Sequence, residues 1–200
     1  NSVAPVWDGN ETWLVLGGGG LMAAFPLAYA VLMPALYTPM IAMLLGLVFR
    51  GVAFEFRAHA RGGAPGSVRF WDVAFSAGST VATFAQGCVL GRFVLGFDVR
   101  DGAYAGGTFD WVHPFVLATG GGLVAGYALL GAAWLVLKTT GPLADWARRM
   151  ARFALAGTLA FIAMVSVVTP LFSADIAARW FDWPNMLLLA PIPLATLAAA

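Results

Sequence analysis

The chain has 200 residues, of which 60% are hydrophobic and only 10% charged, with 11 basic residues against 10 acidic ones. Ordinary soluble domains carry roughly 45–50% apolar and about 25% charged residues, so this composition leaves too few polar side chains to coat a water-facing surface. A net charge of +1 excludes a nucleic-acid-binding face, and the single cysteine, Cys88, excludes an intrachain disulfide, a multi-cysteine zinc site and an iron–sulfur cluster held by this chain alone.

A helix crossing the hydrocarbon core needs about 20 predominantly apolar residues. Stretches free of Asp, Glu, Lys and Arg run over Thr12–Phe49, Val73–Gly91, Trp111–Leu137, Phe153–Ala174 and Trp183–Ala200. The first is long enough for nearly two spans, and Pro34 and Pro39 bracket Tyr37-Thr38 in its middle, a suitable place for a turn. The expected architecture is an all-α integral membrane protein, one polytopic helix bundle over residues 1–200. Its helices are expected at about 11–33, 39–57, 71–93, 113–138, 151–172 and 185–200. Pro26 is expected to kink the first of these rather than end it. The last helix is read as cut off, and the whole as a fragment of a longer subunit.

Basic residues in short loops set orientation. The segment Arg50–Arg69 carries four arginines against Glu55, and Lys138–Arg152 carries four basic residues against Asp145. The loops Arg92–Asp110 and Asp175–Asp182 are net acidic. Alternation then places Asn1–Glu11, Arg57–Arg69 and Lys138–Arg152 in the cytoplasm.

Ionisable groups at the bilayer boundary are the candidates for chemistry. The densest cluster is Trp7-Asp8-Gly9-Asn10-Glu11-Thr12-Trp13. It reads either as a helix cap with interfacial indoles or as the start of a cytoplasmic proton path through Asp8 and Glu11. Arg50, Glu55 and Arg57 close the second helix. Both arginines can snorkel, and Arg50, the deepest, is the one that needs a carboxylate from another helix, Asp8 or Asp72. Trp71-Asp72 opens the next helix. Gly17-Gly18-Gly19-Gly20 lacks the Lys-Ser/Thr of a phosphate loop and reads as a close-packing face, as do Gly120, Gly121, Gly122 and Gly126. Neither His59 nor His113 is placed at mid-membrane, where a haem ligand would be needed. No metal site is expected.

The run Asn1-Ser2-Val3-Ala4-Pro5-Val6-Trp7-Asp8-Gly9-Asn10-Glu11-Thr12-Trp13-Leu14, followed by Gly17–Gly20 and Ala23-Ala24-Phe25-Pro26, resembles subunit II of the cytochrome bd-type quinol oxidases, including the cyanide-insensitive branch. Phe49-Arg50-Gly51-Val52-Ala53-Phe54-Glu55-Phe56-Arg57 is similar to that family's second signature, and Trp71-Asp72 followed by Ser76 or Ser79 to a weaker third. The resemblance implies a subunit of a bacterial plasma-membrane respiratory enzyme that oxidises quinol and reduces dioxygen to water. It implies haem b and haem d on subunit I, with this chain a haem-free scaffold and Asp8, flanked by Trp7, Asn10 and Glu11, on a proton path. Arg50, Glu55, Arg57 and Asp72 would then lie at the cytoplasmic face or the subunit contact. Expected partners are subunit I, membrane lipid, a bound quinone and small accessory subunits, with no nucleic acid. The competing readings are a secondary transporter and a purely structural assembly subunit.

Overall fold

A computed structural model describes residues 9–60, 66–172 and 174–191. Helix α1 spans Gly9–Ala24, α2 Pro26–His59, α3 Ser67–Leu95, α4 Pro114–Lys138, α5 Pro142–Phe172, α6 Ala174–Phe181 and α7 Asn185–Leu189. Four of them, α2 to α5, are long and apolar enough to cross a membrane. Between α3 and α4 a small antiparallel hairpin pairs β1 (Val99–Arg100) with β2 (Ala103–Tyr104).

The turn expected between Pro34 and Pro39 is absent. Both prolines sit inside one continuous helix, and the chain breaks instead at Phe25. Pro26 lacks an N–H and disfavours helical geometry in the residue before it, and Phe25 has φ −134° and ψ 61°. The break is narrow, because the Phe25 N–H still donates to the Leu21 carbonyl at 2.9 Å and the Tyr29 N–H to that of Phe25. Pro34 and Pro39 are tolerated because this stretch packs against protein, with Ala35, Leu36 and Pro39 buried. At about 1.5 Å per residue α2 runs roughly 50 Å, well beyond the roughly 30 Å hydrocarbon core.

Helices α2 to α5 pack in sequence, each antiparallel to the next, through contacts in which glycine removes the side chain from the interface. A Cβ on Gly46 of α2 would lie 2.7 Å from the Gly78 carbonyl oxygen and 2.9 Å from the Ala82 nitrogen of α3. One on Gly87 of α3 would meet the backbone of Gly120 in α4, and one on Gly122 of α4 would press at 3.0 Å on Phe161 of α5. The expected packing roles of Gly120, Gly121 and Gly122 are thus met by Phe84, Cys88 and Phe161, whereas Gly126 faces open space. This pleating places the last turns of α2 and α4 beside the first turns of α3 and α5, gathering Arg57, Arg69, Lys138, Arg148 and Arg149 at one end of the bundle.

At the other end, Asp101 (φ 51°) and Gly102 (φ 77°) form the hairpin turn. Asp-Gly is a strong signal for the two-residue turn that needs positive φ at both central positions; the expectation of a plain acidic loop overlooked it. The Tyr104 hydroxyl donates to Asp110 Oδ2 at 3.1 Å, and the Gly107 N–H donates to the same oxygen at 2.8 Å. Burial first, then the bond to Asp110, pushes the Tyr104 phenol above its ordinary pKa. Residues 175–182, expected as loop, are mostly the short helix α6. The sixth expected helix, 185–200, is described only to residue 191, and α7 ends at Leu189.

Gly46→Ala is expected to destabilise the chain by about 1–3 kcal/mol, because both atoms crowded by the new methyl belong to backbone. Gly131→Ala, which has nothing within 4 Å of its Cβ, is the matched control. Thermal unfolding of both variants in mild detergent tests the contrast, and equal midpoints would remove the close approach from the account.

Candidate functional site

The basic end of the bundle carries two ion pairs that tie successive helices together. Glu11, in the first turn of α1, faces Arg50 of α2, with Oε1 3.5 Å from Nε. The two side chains are 27% and 32% exposed, yet the two facing atoms are shut off from solvent and lack any better hydrogen-bond partner. The Arg50 guanidinium also lies 5.6 Å from the centre of the Phe75 ring on α3, a cation–π contact that favours the charged group where water is scarce. Among the described residues, the carboxylate that faces Arg50 from another helix is Glu11, which the sequence reading did not name as its partner.

Asp72, the expected partner among the described residues, is engaged elsewhere. It takes Nε of Arg57 on one carboxylate oxygen and Nη2 on the other, the latter at 3.5 Å. This pair is exposed, and the aromatic rings of Phe56, Trp71 and Phe70 stack beside it, with centroids 5.3 and 5.0 Å apart. Glu55 is exposed on the far side of α2. Trp7 and Asp8 lie outside the described residues, and Asn10 is in the first turn of α1. Ser79, quoted with Trp71-Asp72 in the third signature, has its hydroxyl oxygen buried with no partner among the described residues.

From the Glu11–Arg50 pair an apolar groove of about 950 Å³ runs between α1 and the faces of α2, α3 and α4. Trp13, Met40, Gln86 and Tyr127 are among the residues that line it. Two of its lining residues join α3 to α4, the Tyr127 hydroxyl donating to Gln86 Oε1 at 3.3 Å. Sequence reasoning missed this pair because a lone glutamine and a lone tyrosine 41 residues apart form no motif. Gly17 and Gly18 open onto the groove, and none of Gly17, Gly18, Gly19 and Gly20 has an atom within 4 Å of its would-be Cβ. The expected packing face is therefore unused within the described chain.

The two histidines lie at helix ends. His113 caps α4, its Nδ1 accepting from the Phe115 N–H at 3.2 Å, and its ring lies edge-on to Phe172. His59 is at the exposed last turn of α2, with Nδ1 3.2 Å from the Glu55 carbonyl oxygen. Both sit at helix ends, at opposite ends of the bundle.

Comparison with known proteins gives a consistent result. The family described as "Cytochrome bd terminal oxidase subunit II" matches residues 1–200. The chain is 34% identical over 180 residues to the "Probable cytochrome oxidase subunit 2" of Haemophilus influenzae, covering 88% of this chain and 47% of that protein. It is 34% identical over 175 residues to the "Cytochrome bd-I ubiquinol oxidase subunit 2" of Escherichia coli, covering 84% and 45%. With the "Cytochrome bd ubiquinol oxidase subunit 2" of Bacillus subtilis it shares 31% over 181 residues, covering 86% and 52%. The chain spans about half the length of the curated relatives it matches.

The two ion pairs are expected to differ in weight. Asp72→Asn breaks an exposed pair that solvent screens and should cost little stability. Arg50→Gln strands a carboxylate oxygen that water does not reach and should cost more than that. Unfolding of the two variants in the same detergent checks the order, and the reverse order would contradict the difference in burial.

Proposed function

We propose that this chain, which belongs to the cytochrome bd terminal oxidase subunit II family, is the haem-free subunit of a quinol:oxygen oxidoreductase and brings protons toward the oxygen-reducing site. It is a multi-pass membrane protein, with four membrane-length helices. The bacterial plasma membrane is its proposed location, with Asn1–Glu11, Arg57–Arg69 and Lys138–Arg152 in the cytoplasm. The clustering of arginines at one end of the helix bundle supports that orientation.

The observation that carries the proton-path reading is the Glu11–Arg50 pair. A carboxylate pulled from water is costly in its charged form unless a cation faces it. Arg50 supplies that cation, and the pair sets a carboxylate at the bundle's basic end, where the apolar groove begins. Asp8 precedes it by three residues, with Trp7 and Asn10 beside it, and this segment is the proposed entry from cytoplasmic water. Ser79, with its buried and unpartnered hydroxyl, is a candidate for the next polar group inward. Arg57 and Asp72 hold α2 against α3 and keep Arg50 in register.

Haem b and haem d are proposed to reside on subunit I, where they supply electron transfer and oxygen binding. This chain's part is to scaffold that subunit, with lipid, a bound quinone and small accessory subunits as further proposed partners. The open glycine face of α1 suits a close helix neighbour from subunit I. A purely structural role would need the same contacts but no titratable pair.

Glu11→Gln in the full-length assembled complex separates the two. At unchanged haem content, quinol-driven oxygen consumption is expected to fall several-fold, and Asp8→Asn should do the same. Unchanged turnover in both variants would remove this segment from proton delivery. A fall in turnover that merely tracks lost haem would assign the pair to assembly instead.

A further inference from the structure

The eight residues of α6 sort into three stripes. Asp175 and Arg179, continued by Asp182, whose N–H donates to the Ala178 carbonyl at 3.0 Å, are spaced i, i+4, i+7 and form a charged edge. Ala174, Ala178 and Phe181 share the same spacing on an adjoining edge that is apolar and exposed, Phe181 to 68%. Ile176, Ala177 and Trp180 are half-buried and form the inward side, and α6 packs against α5 and α7. At 100° per residue the charged and apolar exposed edges stand about a right angle apart. When the charged edge points away from the bilayer into water, the Phe181 edge therefore points sideways, along the membrane plane.

The level of α6 is fixed by its neighbours. The Phe172 ring, at the end of α5, lies 5.4 Å from His113 and 5.7 Å from Phe115 at the start of α4. The C-terminal end of one membrane-length helix is thus level with the N-terminal end of another, and α6 begins two residues further on. Trp183, 68% exposed, follows α6 at the same level. Indoles and phenyl rings beside short charged residues are what the headgroup boundary selects.

We propose that α6 lies in the membrane interface, with its Ala174–Ala178–Phe181 edge embedded among phospholipid headgroups and upper acyl chains. The lipid surface that surrounds α4 and α5 continues onto this edge. Two aspartates against one arginine give α6 no electrostatic pull toward anionic lipid, so the anchoring is apolar and independent of lipid charge. The helix thereby sets the depth of α5 and of the chain that follows it, on the side of the membrane opposite to the Glu11–Arg50 pair.

Nitroxide labels at Phe181→Cys, Ala178→Cys and Asp175→Cys test this in the full-length complex, because all three positions are exposed and Cys88 is buried. The complex is reconstituted in vesicles of phosphatidylethanolamine with or without phosphatidylglycerol, and label collisions with oxygen are compared with those of a water-soluble nickel chelate. The oxygen-to-nickel ratio should be several-fold higher at positions 181 and 178 than at 175, in both kinds of vesicle. Equally low ratios at all three positions would place α6 in water, and equally high ones would remove the charged edge from it. Shielding of position 181 from both reagents would show a protein partner there, and any of these results overturns the proposal.

Discussion

In hydrocarbon no hydrophobic force draws one apolar helix to another, because lipid tails are as apolar as leucine. What remains is the density of contact two helices can reach, and here that density is set where glycine lets backbone meet backbone. Gly46 against Gly78, Gly87 against Gly120 and Gly122 against Phe161 hold α2, α3, α4 and α5 in order. The antiparallel pleat that follows gathers the basic helix ends on one side and the acidic hairpin with α6 on the other. The Arg57–Asp72 pair joins α2 to α3 at the basic end, and the Glu11–Arg50 pair ties α1 to α2 there.

The two ion pairs divide the work by environment. Arg57 and Asp72 are both exposed, so their attraction is screened and mainly keeps α2 and α3 aligned. Glu11 and Arg50 face each other through atoms that water does not reach, beside the Phe75 ring and at the mouth of an apolar groove. The open side of α1 carries four consecutive glycines that meet nothing in the described chain.

The all-α membrane class and the α3 and α4 helices were legible in the sequence, since each follows from composition or apolar run length. The break at Phe25 was not. Three prolines lie in one charge-free run, and only the packing of Ala35, Leu36 and Pro39 decides which of them interrupts the helix. That Glu11 rather than Asp72 faces Arg50 depends on how α1 folds back along α2, which spacing alone does not set. The Asp101-Gly102 turn was readable and passed over, because the loop was weighed for charge rather than for backbone conformation. In α6 the two exposed stripes follow from spacing, but their meaning depends on which side packs against α5.

The central claim is that this chain works as the haem-free partner in a quinol oxidase. A reduced-minus-oxidised visible spectrum of the tagged full-length protein, purified from its native membrane in mild detergent, tests it most directly. The account predicts b- and d-type haem bands together with a co-purifying haem-bearing subunit. An intact chain that purifies without haem and without a partner would contradict it.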